Sequence, residues 1–396
     1  MHFLIVSGQL LLYINPFTPH RVNDKNLEAY IVYLKLSKVR PFLNNQKHRI
    51  PAFLLLLACI ILVIFRIIPS ANVFEGNIIA ESVSFTYTGT SNKLFLNSIR
   101  NLKRIELEGI QKNLNLSGSF QTENLSKFDN LDIQLNYPHS KLIIEPSNPD
   151  GFSQLEVNAV RLPQNTQVDN LTYYPDPNQL LLTLTPPEEE NPEIIVQLSL
   201  GQDPLKITLE GYSLPQLNQP EDEFNFLEFV WTPGSSELNL SPSSRTLFYL
   251  DLPDLETSNY QEWLWGDLTV SDVRFSRFLK TDNTQDVLEL STILEGKVRM
   301  VNQDLNLEKR QFLTFKKTPN ITRFPRLQIH RDTPKGLEVR IHGQASKIEA
   351  GIDPKLSVSQ IRASILDRWL SPEVINFLLT FCAVVIGYLI PWIFTS

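Results

Sequence analysis

Two patterns of polar and apolar residues divide this 396-residue chain. Two nearly uncharged apolar runs, Ile50–Ile68 and Val374–Phe394, stand near its ends. At 1.5 Å per helical residue they are roughly 28 and 31 Å long, against a hydrocarbon core of about 30 Å. The second carries no charge. The first carries only Arg66, third from its end, where a long side chain reaches the headgroups. A soluble core helix rarely stays apolar on every face for five turns. Transmembrane helices are therefore expected at 50–68 and 374–394.

Between them, short alternating stretches are separated by Pro, Gly, Asn and Asp. Examples are Lys103–Gly109, Leu131–Tyr137, Leu180–Leu184, Ile194–Leu200, Ile207–Gly211, Leu247–Leu252 and Leu337–Gly343. Period-two patterning bounded by turn formers predicts half-buried antiparallel strands. The 26 prolines disfavour long helices. The expected fold is an all-β extracytoplasmic domain, an antiparallel sandwich or open roll, flanked by the two transmembrane α-helices. Apolar-x-apolar-x-Gly recurs at Gly109, Gly118, Gly211 and Gly343 without a fixed period, so each reads as a strand ending in a turn or bulge. Ser213–Glu223, polar with two prolines, predicts a boundary between β-rich subdomains at 77–213 and 224–352, either two sandwiches or two layers of one fold.

The period changes near the second span. Asp353-Pro354 suits a helix start, and Val358, Ile361, Ile365 and Trp369 follow at spacings of three and four. This predicts an amphipathic juxtamembrane helix over 354–370, with Trp369 at headgroup depth.

Charge sets the orientation. Lys35, Lys38, Arg40, Lys47 and Arg49 precede the first span, and no acid lies between Glu28 and Glu75. The positive-inside rule puts the basic tail, 1–49, in the cytoplasm and the large domain outside the plasma membrane. The first 50 residues hold seven Lys/Arg and two Asp/Glu, a net +5, so the remainder carries −12 of the overall −7. The tail suits anionic lipid headgroups, with membrane lipids as partners. The acidic outer domain argues against a nucleic-acid partner.

The two cysteines, Cys59 and Cys382, both lie within the spans. The outer domain thus uses no disulfide and has no Cys-based zinc site, which favours a bacterial envelope. Leu56-Leu57-Ala58-Cys59 has the form of a lipoprotein cleavage site, but Ile60–Phe65 stays apolar where a mature lipoprotein turns polar. Phe3–Ile14 is apolar but too short to span and lacks a basic n-region.

Catalytic patterns are sparse, and no cofactor is expected. His330 and His342 fall on a readable hairpin; pairing Arg331 with Leu337 sets His330 opposite Glu338 and His342 opposite Arg326. Four residue pairs then separate the imidazoles, roughly 13 Å, too far to share a metal. Glu188–Glu190, Glu221–Glu223 and the Asp251, Asp254, Glu256 turn read as solvated loops. Trp263 and Trp265 share a face if Tyr260–Asp267 is a strand, and an exposed pair would stack sugar rings. In the second span Asn376 and Thr380, one turn apart, are candidates for a helix–helix contact.

These features point to a non-enzymatic scaffold or binding module in the cell envelope, engaging a protein or glycan partner. Two alternatives make distinct demands. A lipid-handling protein needs an apolar β-groove left unfilled. A glycan hydrolase needs two carboxylates about 5–10 Å apart, ideally beside Trp263 and Trp265.

Overall fold

The computed structural model describes residues 2–6, 9–13, 46–110, 112–121, 130–135, 137–149, 151–188, 193–215, 226–280, 287–316 and 320–395. Lys35, Lys38 and Arg40, which carry much of the orientation argument, lie outside them, as do Glu189–Glu190 and Glu221–Glu223. The chain divides into two compact units, Met1–Leu57 and Ala58–Ser396. In the first, β1 (His2–Val6) and β2 (Gln9–Tyr13) form an antiparallel hairpin, and α1 (Gln46–Ile67) begins.

The second unit is β-rich. From α1 the chain runs through β3 (Asn72–Ala80), β4 (Ser82–Tyr87), β5 (Lys93–Ile99), β6 (Arg104–Glu108), β7 (Lys112–Gln121) and β8 (Asn130–Leu135). Then come β9 (Lys141–Pro146), β10 (Glu156–Leu162), β11 (Gln167–Tyr174), β12 (Gln179–Thr185), β13 (Ile195–Ser199) and β14 (Leu205–Glu210). Next are β15 (Phe226–Pro233), β16 (Glu237–Leu240), β17 (Thr246–Asp251), β18 (Leu268–Arg274), β19 (Ser276–Lys280), β20 (Val287–Ser291) and β21 (Ile293–Met300). The last strands are β22 (Gln303–Leu307), β23 (Phe312–Lys316), β24 (Ile321–His330), β25 (Gly336–Ala345), β26 (Lys347–Asp353) and β27 (Leu356–Arg362), before α2 (Pro372–Thr395).

Sixteen strands make one sheet, in the order β22-β21-β3-β25-β24-β18-β4-β11-β12-β17-β6-β9-β14-β15-β7-β8. The alternation read from sequence is the alternation of its faces: β17 buries Thr246, Phe248 and Leu250 and turns Leu247, Tyr249 and Asp251 outward. A four-stranded sheet, β16-β13-β10-β5, and a three-stranded sheet, β23-β26-β27, share its core. Phe85 of β4 meets Phe95 of β5 edge-on at 5.9 Å, and Phe74 of β3 stacks on Phe315 of β23 at 5.1 Å. These aromatic pairs knit each small sheet to the large one, giving sandwich packing. Gly109 (φ +80°) and Gly211 (φ +60°) close β6 and β14 in the left-handed region, whereas Gly118 and Gly343 of the same repeated pattern lie within β7 and β25.

Two expectations differ from what is observed. Ser213–Glu223 does not separate two sheets: β3 lies between β21 and β25, and β17 lies between β12 and β6, so strands from both sides of it interleave. Antiparallel pairing links strands far apart in sequence, which a local break in pattern does not register. The helix over 354–370 is replaced by β27 and a 3-10 turn at Leu366–Arg368. The same residues carry a period-two run, Ser359, Ile361 and Ala363, and these face inward with Ile361 and Ala363 buried. Pairing with β26 satisfies that strand's open edge and overrides the helical spacing. Asp353 caps the connecting turn through the backbone N–H of Lys355, at 2.7 Å.

The helices α1 and α2 are 22 and 24 residues long, about 33 and 36 Å, and apolar enough to cross a membrane. A large β-rich domain is therefore flanked by two apolar helices of spanning length.

Candidate functional site

The two spans enter the domain side by side. Ser70 donates its backbone N–H to the Ala363 carbonyl at 3.1 Å, and Ile365 donates to Ile68 at 3.2 Å. Beside this short antiparallel bridge, Arg66 Nη1 contacts both carboxylate oxygens of Asp367, at 2.8 and 2.6 Å. The Asp367 side chain is 3% exposed and also accepts from the Ser364 backbone N–H (2.6 Å) and hydroxyl (2.8 Å). Ser364-x-x-Asp367 is the spacing of a capping box, the sequence signal that identifies Asp367 as a structural acceptor. A small cavity of about 190 Å³ lies here, lined by Arg66, Asp367, Ile375, Asn376 and the Val301–Asn302 turn. Trp369, next to this junction, is 75% exposed with the Arg368 guanidinium over its ring at 5.8 Å.

The larger cavity, about 520 Å³, is of small-molecule size. It opens where the chain departs from regular pairing. On one side of β4 the register of β11 shifts between Val168 and Leu171, with Asn170 at φ +49°; on the other, β18 shifts between Ser271 and Arg274, with Asp272 at φ +52°. Asn and Asp tolerate that conformation best, and paired bulges increase local twist. The Ser84 hydroxyl accepts from the Asn170 N–H at 2.9 Å, which secures the first bulge.

Past the second bulge, β19 leaves the sheet and pairs only with β20, as a ribbon. Its root is pinned: Thr292 donates its N–H to Phe275 (2.9 Å) and its hydroxyl to the Ser82 carbonyl (2.6 Å). The ribbon exposes Phe278, Leu279 and Leu288.

Ribbon and sheet enclose a mixed lining. Arg274 pairs with Asp169 at 3.6 Å, Arg277 with Glu81 at 3.8 Å, and Lys335 enters from the β24–β25 turn. Ser82, Ser84, Thr172 and Ser276 add hydroxyls, while Tyr174 and Phe278 present half-exposed rings. Tyr173 is deeper: its phenol bonds Asn178 Oδ1 at 3.1 Å, and burial raises its pKa against the opposing Arg331 charge. The lining carries three cations against two carboxylates and is otherwise polar and aromatic.

The tryptophans fall elsewhere. Tyr260–Glu262 is a 3-10 turn, followed by a single bridge between Leu264 and Leu96. Trp263 is 3% exposed and Trp265 44%, so only Trp265 presents a ring to solvent. The hairpin of β24 and β25 pairs His330 with Gly336 and Glu338 with Gln328, while His342 faces Arg323. Its turn lies one residue earlier than expected, an even register shift that holds from His330 to Arg326, and bulges between Ile321 and Arg326 then carry the partner of His342 to Arg323. His330 Nδ1 is 3.8 Å from Glu338. Burial pushes the Glu338 carboxyl up, but hydrogen bonds from Asn77 and Gln328 leave it below the usual range. Among the described residues no three His, Cys, Asp or Glu side chains gather as a metal site.

In α2 the Thr380 hydroxyl donates to the Asn376 carbonyl of its own helix at 2.8 Å, and both residues are exposed. Among the described side chains of α2 the buried positions are instead Ile375, Cys382 and Leu389, seven residues apart, and Cys59 of α1, also buried, lies near enough to interact with Cys382. Small, fully buried side chains permit that close approach, whereas Thr380 satisfies its hydroxyl within its own helix. No family model, curated protein or solved structure matches this chain.

Proposed function

We propose that the protein is a non-enzymatic binding module of the cell envelope, held on the outer side of the cytoplasmic membrane, whose ribbon cleft takes a polyhydroxylated ligand such as an envelope glycan. The cleft's composition carries this reading. Both arginines already face carboxylates, which disfavours a strongly anionic ligand, and the hydroxyls and charges disfavour a lipid tail. Rings at Tyr174 and Phe278, set among fixed donors and acceptors, are what a sugar ring requires.

The rival readings find less support. A lipid carrier needs an open apolar groove, and the inward faces of the three sheets are packed together. A hydrolase beside Trp263 and Trp265 loses one platform to the core, and the cleft's Glu81 and Asp169 are each committed to an arginine.

Two anchors beneath one domain hold the cleft at a set distance from the bilayer, as a platform requires. In this reading Arg66 and Trp369 meet headgroups, and the exposed Asn376 and Thr380 are offered to a helix of another protein.

The test is binding of envelope oligosaccharides to the full chain in lipid nanodiscs, read by glycan array and calorimetry. Retention of a glycan, with about tenfold weaker binding (roughly 1.4 kcal/mol) in Tyr174→Ala and Phe278→Ala, is expected. Retention unchanged in both variants, release of cleaved product, or capture of lipid alone would each overturn it.

A further inference from the structure

The two cysteines of this chain meet one another inside the membrane pair. Cys59 and Cys382 are 2% and 0% exposed, while their neighbours Ile60, Ile61 and Phe381 face outward. Both thiols are therefore turned inward, near enough to interact with one another. A second alignment agrees with this: Arg66, one heptad beyond Cys59, lines the same cavity as Ile375, one heptad before Cys382. The two cysteines thus fall at matching heptad positions of the two helices. The domain between the helices has no cysteine at all.

We infer that Cys59 and Cys382 are a redox pair that closes into one disulfide between the two spans, with a lipid-soluble quinone as the oxidant. The balance is complete. Two S–H bonds break and one S–S bond forms; the two electrons and two protons reduce the quinone to its hydroquinone. Closure brings the two sulfurs to about 2.05 Å and requires Cα atoms about 4.4–6.8 Å apart. Location selects the oxidant: water-borne thiols and metal complexes do not enter hydrocarbon, whereas a quinone dissolves there. Closure would fasten the helices on the membrane side of the Arg66–Asp367 pair. Simple packing of small side chains in the seam makes the opposite prediction, thiols that stay reduced.

The full chain in its native membrane is exposed to a short-tailed benzoquinone without oxygen, denatured, labelled with N-ethylmaleimide and weighed intact. The expected product is a monomer lacking two hydrogens, with neither thiol labelled until a reductant is added. Cys59→Ser and Cys382→Ser should each retain one labelled thiol. Should a variant fail to insert, the wild-type mass alone decides. Complete labelling after quinone treatment, disulfides only between chains, or equal oxidation by water-confined ferricyanide would overturn the inference.

Discussion

Arg66 and Asp367 lie 301 positions apart in sequence and 2.6 Å apart in the folded protein, where they tie the end of one span to the entrance of the other. Asp367 is almost wholly buried and Arg66 about one-third exposed. Removing one partner of such a pair leaves a polar group unmatched, at a cost below the 3–5 kcal/mol of a fully buried pair. Asp367→Asn should lower stability by about 2 kcal/mol. Equilibrium unfolding in detergent micelles checks this, and a double-mutant cycle with Arg66→Gln should recover a coupling of about 1 kcal/mol. Independent, additive effects would mean that the pair is not formed.

Phe85 touches Phe95 at 5.9 Å and Phe324 at 5.2 Å, both edge-on, and is 1% exposed. Phe85→Ala leaves a cavity where the four-stranded sheet meets the large one and should cost about 3–5 kcal/mol. Phe278→Ala, on the exposed ribbon, should stay within about 0.5 kcal/mol of wild type. The same unfolding assay separates the two; similar losses would place the ribbon in the core.

Gly109 sits at φ +80°, and a Cβ there would lie 2.8 Å from the Arg245 carbonyl oxygen. Gly109→Ala should therefore destabilise the fold by about 1–2 kcal/mol, through strain and the close contact together. Wild-type stability in this variant would show that the turn after β6 relaxes freely.

Asp304, on the β22 edge strand, is held down to about 2 by hydrogen bonds from Arg299 and Lys297. A depressed folded-state value stabilises the fold above the unfolded value near 3.8 and loses that contribution as pH falls toward 2. Carboxyl NMR titration should place the midpoint well below the unfolded value, with salt raising it because the pair is exposed. A midpoint at the unfolded value would remove the linkage.

The two helices and the strands were legible because their signals are local. Twenty apolar residues in a row span a bilayer whatever surrounds them, and alternation such as Thr246–Asp251 states which side chains turn inward. The hairpin of β24 and β25 was readable almost to its register, since its partners are neighbours in the chain. Over 354–370 the same local reasoning failed, because one set of residues fits a helical stripe and a strand face equally. The neighbouring strand β26, already held on its other edge by β23, offers these residues a hairpin partner, and that pairing decided between them.

By itself, then, the sequence determined which segments are apolar enough to leave water and which alternate, because burial preference belongs to each side chain and its nearest neighbours. Only the tertiary structure decided that β3 lies between β21 and β25, that bulges at Asn170 and Asp272 open a cleft, and that Cys59 faces Cys382. Each of these joins residues scores to hundreds of positions apart. Such pairings are selected by the packing free energy of the whole core, and no local window of the chain contains that quantity.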